Sequence, residues 1–471
     1  MKIQFLGADR QVTGSSHLLE AGGLKILVDC GLYQERPYLD RNWQPFPAAP
    51  DDIDVVCLTH AHLDHSGFLP RLLKQGFSRK ILATAATIEL TRIVLLDAAN
   101  IQEEDTLLKK KRHDREGRRG PHPEIPLYTV EEALRVVPLF EAVAYLQTVR
   151  LNDLVTVRFH DAGHILGSAM LEIVARDEDG GPARQIIFSG DIGRWNKPLV
   201  EDPSVFEAAD DVVMESTYGD KDHEDVAGIE GALAGVINDT IARGGNIVVP
   251  IFAIERAQEF LYYLARLIRS GEIPRLLVLL DSPMAVEVTE VFSHYPSLLD
   301  REAQQLYRSG QQPFEFQGLK LITSPEESKA INRIRGSAII LAGSGMCTGG
   351  RIKHHLMHNI ERPECTVVFV GYQARHTLGR QILEGQPEVR INGQKFRVLA
   401  QVAQIEGFSG HADKADLLRW LRAFKKPPQC VFLTHGEEEI SLNLATFLES
   451  QGWPVTVPHY QETYELDACG P

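Results

Sequence analysis

Short apolar runs, each closed by Gly, Asp, Asn or Pro, recur along the chain. They lie at 25–29 (KILVD), 53–58 (IDVVCL), 80–83, 153–159, 185–189 and 211–215 (DVVME). Further runs lie at 246–251 (NIVVPI), 276–280, 337–342, 366–370 and 430–434 (CVFLT). Their β-branched composition and length predict strands. Between them, apolar residues fall at helical spacing over 87–104, 227–243, 255–270, 284–293 and 413–425, which predicts helices. Strands alternating with helices predict an α/β layered fold. No internal repeat or low-complexity tract interrupts the pattern. Residues 109–119 (KKKRHDREGRR) are mostly basic. They read as a solvated helix end and loop, or else as an electrostatic rim for a polyanion.

The chain has 471 residues, enough for two or three domains at about 150 residues each. A net charge of -15 excludes binding of nucleic acid through bulk positive charge, though not through a local basic groove. Cys30, Cys57, Cys347, Cys365, Cys430 and Cys469 form no CxxC pair and read as reduced thiols. The opening residues MKIQFLGADR hold no apolar leader. Runs such as 276–280 fall far short of the roughly 20 residues of a membrane helix. The expectation is a cytoplasmic protein with no membrane association.

The chemistry concentrates at 59–65, Thr-His-Ala-His-Leu-Asp-His, directly after strand candidate 53–58. Residues i and i+2 of an extended segment point the same way, so His60 and His62 can grip one metal. Asp64 and His65 follow as the chain turns and can face a second. Imidazoles with a carboxylate suit zinc. Further polar residues stand beside Gly where apolar strands stop: Asp29 in VDCG, His164 in DAGHILGS, Asp191 in SGDIG and His435 in LTHGEE. Ligands and catalytic groups collect at such loops in layered α/β folds.

THAHLDH with DAGHILGS and SGDIG resembles the metallo-β-lactamase superfamily. MESTYGD (214–220), GSGMCTGGR (343–351), GYQARHTLGR (371–380), FSGHAD (408–413) and LTHGEE (433–438) resemble its β-CASP branch of nucleases, which includes RNase J and the polyadenylation endonuclease. The resemblance runs over almost the whole chain. It implies a four-layer αββα sandwich, over about 1–215 and 400–471, interrupted by an α/β β-CASP domain at about 216–399. It implies two Zn²⁺: one on His60, His62 and His164, the other on Asp64, His65 and His435, with Asp191 bridging. Asp29 would orient ligand imidazoles. Glu215, His411 and His435 match the acidic residue and the two histidines of the branch's extra motifs.

The implied reaction is hydrolysis of phosphodiester bonds in single-stranded RNA, with catalytic roles for Asp64, Asp191, Glu215 and His411. Two zinc ions can share a hydroxide that attacks phosphorus, and His411, held by Glu215, is the candidate acid for the leaving oxygen. Internal cutting and 5′-exonuclease digestion would use the same groups, and the pattern leaves both open. Glycines of 343–351 let backbone N–H groups approach an anion. Ser344, Gly345, Arg351, Arg375, Thr377 and Arg380 are therefore expected at RNA phosphates, with Lys353 adding charge. His376 stands where relatives are expected to carry a small residue. A monomer or homodimer is expected. The alternatives are a DNA-directed β-CASP nuclease, a hydrolase of thioesters, lactones or β-lactams, and a non-catalytic RNA-binding scaffold. The second gives no reason for FSGHAD or MESTYG, and the third is hard to square with a complete ligand set.

Overall fold

The computed structural model describes residues 1–117, 120–178, 180–223, 228–371, 373–374 and 376–466. The chain forms two compact units. One comprises Met1–Asn196, Asp202–Asp222 and His411–Pro471, the other Lys197–Glu201 and His223–Gly410.

The first unit opens with β1 (Lys2–Gly7), β2 (Ser16–Ala21), β3 (Leu24–Val28), β4 (Val55–Cys57), β5 (Lys80–Ala83) and β6 (Phe140–Ala142). It continues with β7 (Thr148–Arg150), β8 (Val155–Asp161), β9 (Ala169–Ala175), β10 (Arg184–Phe188) and β11 (Asp211–Glu215). The second unit holds β12 (Ile247–Pro250), β13 (Leu277–Asp281), β14 (Leu319–Leu321), β15 (Ala338–Ala342), β16 (Thr366–Phe369), β17 (Glu388–Ile391), β18 (Gln394–Arg397) and β19 (Gln401–Gln404). The chain then returns to the first unit for β20 (Cys430–Thr434), β21 (Val455–Thr456) and β22 (Thr463–Glu465).

Two sheets form the first unit, in the orders β22-β1-β2-β3-β4-β5-β6 and β21-β20-β11-β10-β9-β8-β7. They share one core, in which Ile3, Phe5, Leu19 and Ile26 meet Val157, Phe159, Leu171, Phe188 and Phe432. The outer face of the first sheet is covered by Leu72, Leu95, Ala99 and Ala133, from helices Leu69–Lys74, Ala85–Glu116 and Val130–Leu134. Leu417, Trp420, Leu444 and Leu448 cover the second, from helices Lys414–Leu421 and Glu438–Ser450. This is the αββα sandwich. Helix Ala85–Glu116 starts at Thr84, whose side chain accepts from Thr87 N, and stops at Gly117, φ +63°. It outruns the expected 87–104. The basic run supplies good helix formers but no apolar stripe, so periodicity fades where propensity continues. Arg118 and Arg119 lie outside the described residues.

The second unit carries a parallel sheet in the order β14-β13-β15-β12-β16-β19. Val248, Ile340, Val367 and Phe369 pack against Ile352, Leu356 and Ile382. Two boundaries differ from the expected 216–399. Residues Lys197–Glu201 join this unit early: Val200 bridges to Leu299, and Leu199 N donates to Asp300. At the far end, β19 pairs with β16, and the Phe408 ring packs against Phe260, tilted, and Tyr263, edge-on. The chain therefore leaves this unit at Gly410 rather than near residue 400. Among the described residues, no helix is long and apolar enough to cross a membrane.

His17 on β2 is wedged into the core beside Phe5 and Phe188, with ring centroids 5.5 Å and 6.3 Å away. Burial drives its pKa down to about 4, against the pull of Asp29. The unfolded chain takes up this proton near pH 6.5 and the folded chain only near pH 4. Stability is therefore complete above the higher value and falls as the pH drops toward the lower. Urea melts should show the parent losing about 2 kcal/mol more stability than His17→Phe between about pH 7 and about pH 5. Parallel pH profiles would reject this.

Candidate metal centre

All the histidines and carboxylates singled out in the first unit lie at one sheet edge. His60 follows β4, and His62 opens the short helix Leu63–Ser66, which carries Asp64 and His65. His164 sits in the β8–β9 turn, Asp191 lies in the loop after β10, Glu215 ends β11, and His435 follows β20. The loops are drawn tight. A Cβ at Gly193 would lie 1.9 Å from Gly163 O, and one at Gly190 2.9 Å from Thr59 Cβ. Asp29 and His435 take left-handed backbone, φ +61° and +50°, a cost that clusters at functional sites.

His60, His62, His164 and Asp191 form one cluster, and Asp64, His65 and His435 another. In the first, His62 Nδ1 lies 3.0 Å from His60 Nε2 and 3.2 Å from His164 Nε2. Asp191 Oδ2 lies 3.3 Å from His60 Nε2 and 3.4 Å from His164 Nε2. Zinc–ligand bonds of about 2.0–2.1 Å give a tetrahedron edges of about 3.3–3.4 Å, close to these four distances, and all four atoms lie within 4.8 Å of one another. Asp191 Oδ1 turns the other way, 3.2 Å from His65 Nε2 and 3.6 Å from His435 Nε2. His435 Nε2 is also 3.5 Å from Asp64 Oδ2. Asp191 thus faces both clusters, one oxygen to each. Buried Asp191 Oδ1 and His435 Nε2 have no hydrogen-bond partner among the described residues, as atoms reserved for a cation would. The donors are imidazole and carboxylate only, which suits zinc and also manganese. Cys30, Cys57, Cys347, Cys365 and Cys430 are buried free thiols that belong to neither cluster, and Cys469 lies outside the described residues.

Neighbouring hydrogen bonds set the tautomers. Thr59 Oγ1 donates to Asp29 Oδ2 (2.8 Å) and so accepts from His60 Nδ1 (3.1 Å), leaving His60 Nε2 as a lone pair. Thr217 Oγ1 donates to His435 O (2.9 Å) and accepts from His435 Nδ1 (3.0 Å), with the same result. Asp29 Oδ2 accepts from His65 Nδ1 at 2.8 Å. Asp29 therefore touches both Thr59 and the His65 ring. Thr59 and Thr217 were not singled out in the sequence, although each lies in a quoted motif; only the fold shows which imidazole they touch.

Burial, reinforced by adjacent imidazoles, lowers the pKa values of His60, His62 (to about 3) and His164. They are neutral and able to bind a metal. Burial opposes the charge on Asp64 and Asp191, but the surrounding histidines outweigh it and hold both below the usual carboxylate range.

His411 lies beside this edge, through an antiparallel bridge to Gly193. Its Nδ1 is 3.2 Å from Glu215 Oε2 and 3.8 Å from Asp191 Oδ2. Glu215 is buried and held in turn, its Oε1 accepting from Ile192 N at 2.6 Å. Burial pulls the His411 pKa down, but Glu215 and Asp191 overcome it and raise it to about 9.

The metallo-β-lactamase superfamily domain model matches residues 18–190, and the Beta-Casp domain model matches residues 257–382. That of a Zn-dependent metallo-hydrolase RNA specificity domain matches residues 395–458. The chain is 39% identical over 462 residues to Ribonuclease TTHA0252 of Thermus thermophilus, covering 98% of this chain and 99% of that one. This chain belongs to the β-CASP branch of the metallo-β-lactamase superfamily. The β-CASP chain is also 32% identical to Transcription termination factor FttA of Methanosarcina mazei and to that of Methanocaldococcus jannaschii. These matches cover 95% and 94% of this chain and 68% of each relative. A solved protein of unknown function from Enterococcus faecalis V583 shares the fold, with a TM-score of 0.54 and 12% identity over 98% of this chain and 99% of that one.

The residues expected at RNA phosphates lie in the second unit of the β-CASP chain, and the structure engages several of them otherwise. Arg351 donates to Asp281 Oδ1 at 2.6 Å and to Thr323 O, so a buried carboxylate counters its charge. Arg380 donates to Glu384 at 2.7 Å. Thr377 caps the helix that contains Arg380 and donates to Ala374 O. Ser344 Oγ accepts from Thr348 N and Gly349 N, and Gly345 is buried. Arg375 lies outside the described residues. His376 is exposed with φ +67°, the left-handed backbone that a glycine would adopt without strain.

Thr217→Val removes the hydroxyl that fixes the His435 tautomer. Chelator competition should show metal held about 10–100-fold more weakly, with the fold unchanged by circular dichroism; unchanged affinity would show that this hydrogen bond is idle. His376→Gly relieves about 1–2 kcal/mol of left-handed strain and loses part of that to unfolded-state freedom. A net gain of roughly 0.5–1 kcal/mol in urea melts is expected, and a loss would count against strain at this position.

Proposed function

We propose that this protein is a zinc-dependent ribonuclease that hydrolyses phosphodiester bonds of single-stranded RNA. The observation that carries this reading is the convergence of two ligand clusters through Asp191 beside the Glu215–His411 pair. Its 39% identity to a protein named as a ribonuclease supports the substrate class. His60, His62 and His164 would hold one ion, Asp64, His65 and His435 the other, and Asp191 both. Two ions bound there would supply water acidic enough to deprotonate near neutral pH and positive charge for a phosphoryl oxygen.

The protein's own residues do the rest. Asp29, Thr59 and Thr217 orient three imidazoles with lone pairs facing inward. Glu215 binds His411 Nδ1 and keeps the ring protonated at neutral pH. His411 then delivers a proton from Nε2 to the leaving oxygen, and Glu215 steadies the ring afterwards. The nucleophile is not the substrate's 2′-hydroxyl, so RNA is preferred over DNA through binding rather than chemistry.

His411→Ala should retain its metal by elemental analysis yet cleave RNA about 10²–10⁴-fold more slowly. It should also lose the alkaline fall in rate that the parent shows as His411 deprotonates. Loss of metal with an unchanged residual rate would instead make His411 a ligand. Matched RNA and DNA strands, linear and circular, test the substrate and the mode together. Cleavage of circular RNA establishes internal cutting, and faster cleavage of DNA overturns the RNA assignment.

A further inference from the structure

We propose that Phe252 is a nucleobase-stacking platform for the RNA strand, an inference that rests on the ribonuclease reading above. Phe252 is 39% exposed and is the only exposed phenylalanine, tyrosine or tryptophan among the described residues. Isolated exposed apolar residues are ordinary; the position of this one is not. In the order β14-β13-β15-β12-β16-β19, the chain leaves β12 toward β13 and β14 on one side. It leaves the adjacent β16 toward β19 on the other. The carboxyl ends of β12 and β16 therefore flank a point where the connections diverge, the place where open parallel sheets bind ligands. Phe252 follows β12, Gly371 follows β16, and the Gly343–Gly350 loop follows the neighbouring β15.

The ring is fixed in place. A Cβ at Gly345 would lie 2.5 Å from Phe252 Cδ2 and Cε2, so the ring rests against bare backbone that any other residue would push away. Gly345 O accepts from Gln373 Nε2 at 3.0 Å, which holds the backbone beneath the ring. Gly371 also borders the ring, a Cβ there lying 3.9 Å from Phe252 Cε2. A flat heterocycle needs only one aromatic face with polar groups at its edge. The platform reads no sequence, because every base has such a face.

The test measures binding of fluorescein-labelled single-stranded RNA to the metal-loaded protein, with His411→Ala in every sample to prevent cleavage. Phe252→Ala should weaken binding roughly 5- to 150-fold, and Phe252→Tyr should restore it. An abasic residue moved along the strand should cost affinity at one position with Phe252 present and cost nothing more there with Phe252→Ala. Phe252→Leu keeps apolar volume without the aromatic face and should resemble Phe252→Ala; it also serves if the alanine variant fails to fold. Equal affinity for Phe252 and Phe252→Leu, or no position-dependent abasic loss, overturns the platform and leaves the ribonuclease reading standing. If protein with Phe252 and His411 intact neither binds nor cleaves single-stranded RNA, the ribonuclease reading fails and takes the platform with it.

Discussion

The carboxylate of Asp191 is the constraint around which the first unit is arranged. It is 2% exposed, its two oxygens face different histidine clusters, and one of them has no hydrogen-bond partner among the described residues. A buried charge of this kind is tolerable only beside compensating positive charge. The imidazoles around it cannot all be protonated, since burial and mutual repulsion keep His60, His62 and His164 neutral. Metal binding there would resolve the conflict. It would satisfy the carboxylate and the facing lone pairs together, and binding to the native state alone would add to folding stability.

Such a site needs rigid placement, and the sandwich supplies it. Each ligand leaves the end of a strand whose body is locked in the core between the sheets, so ligand positions inherit the precision of core packing. The tight approaches at Gly190 and Gly193 and the left-handed Asp29 and His435 concentrate local strain at this edge. A ring of polar groups, Thr59, Thr217, Asp29 and Glu215, determines which nitrogen of each neighbouring histidine faces inward. The division of labour is physical: the core fixes position, and the outer hydrogen bonds fix protonation.

The second unit obeys a different logic. Its sheet is parallel and buried, as the continuous apolar runs of 246–251 and 337–342 indicate, and its chemistry lies in the loops after the strands. Of the two arginines expected at phosphate, Arg351 pairs with buried Asp281, while Arg380 makes a surface pair with Glu384. A surface pair of that kind is weak, whereas a buried carboxylate offsets the charge beside it.

What the sequence determines by itself is whatever depends on near neighbours. The buried central strands were legible because apolar, β-branched runs of this length have few alternatives, and half of each ligand cluster because His60, His62, Asp64 and His65 stand close together in the short run 59–65. The hairpin of β17 and β18 was also legible in principle: Asn392 and Gly393 both have positive φ, the signature of a tight turn. Edge strands such as β6, β7 and β22 were not, because short, half-exposed segments carry no distinctive pattern. Nor could local sequence place β19 with the second unit, since that depends on a parallel partner 35 residues earlier in chain register. Only the tertiary structure decided that Thr217 holds His435, that Arg351 is spoken for by Asp281, and that Asp191 faces both clusters. Those facts are distances between residues far apart in the chain, and periodicity along a chain carries no information about distance across a fold.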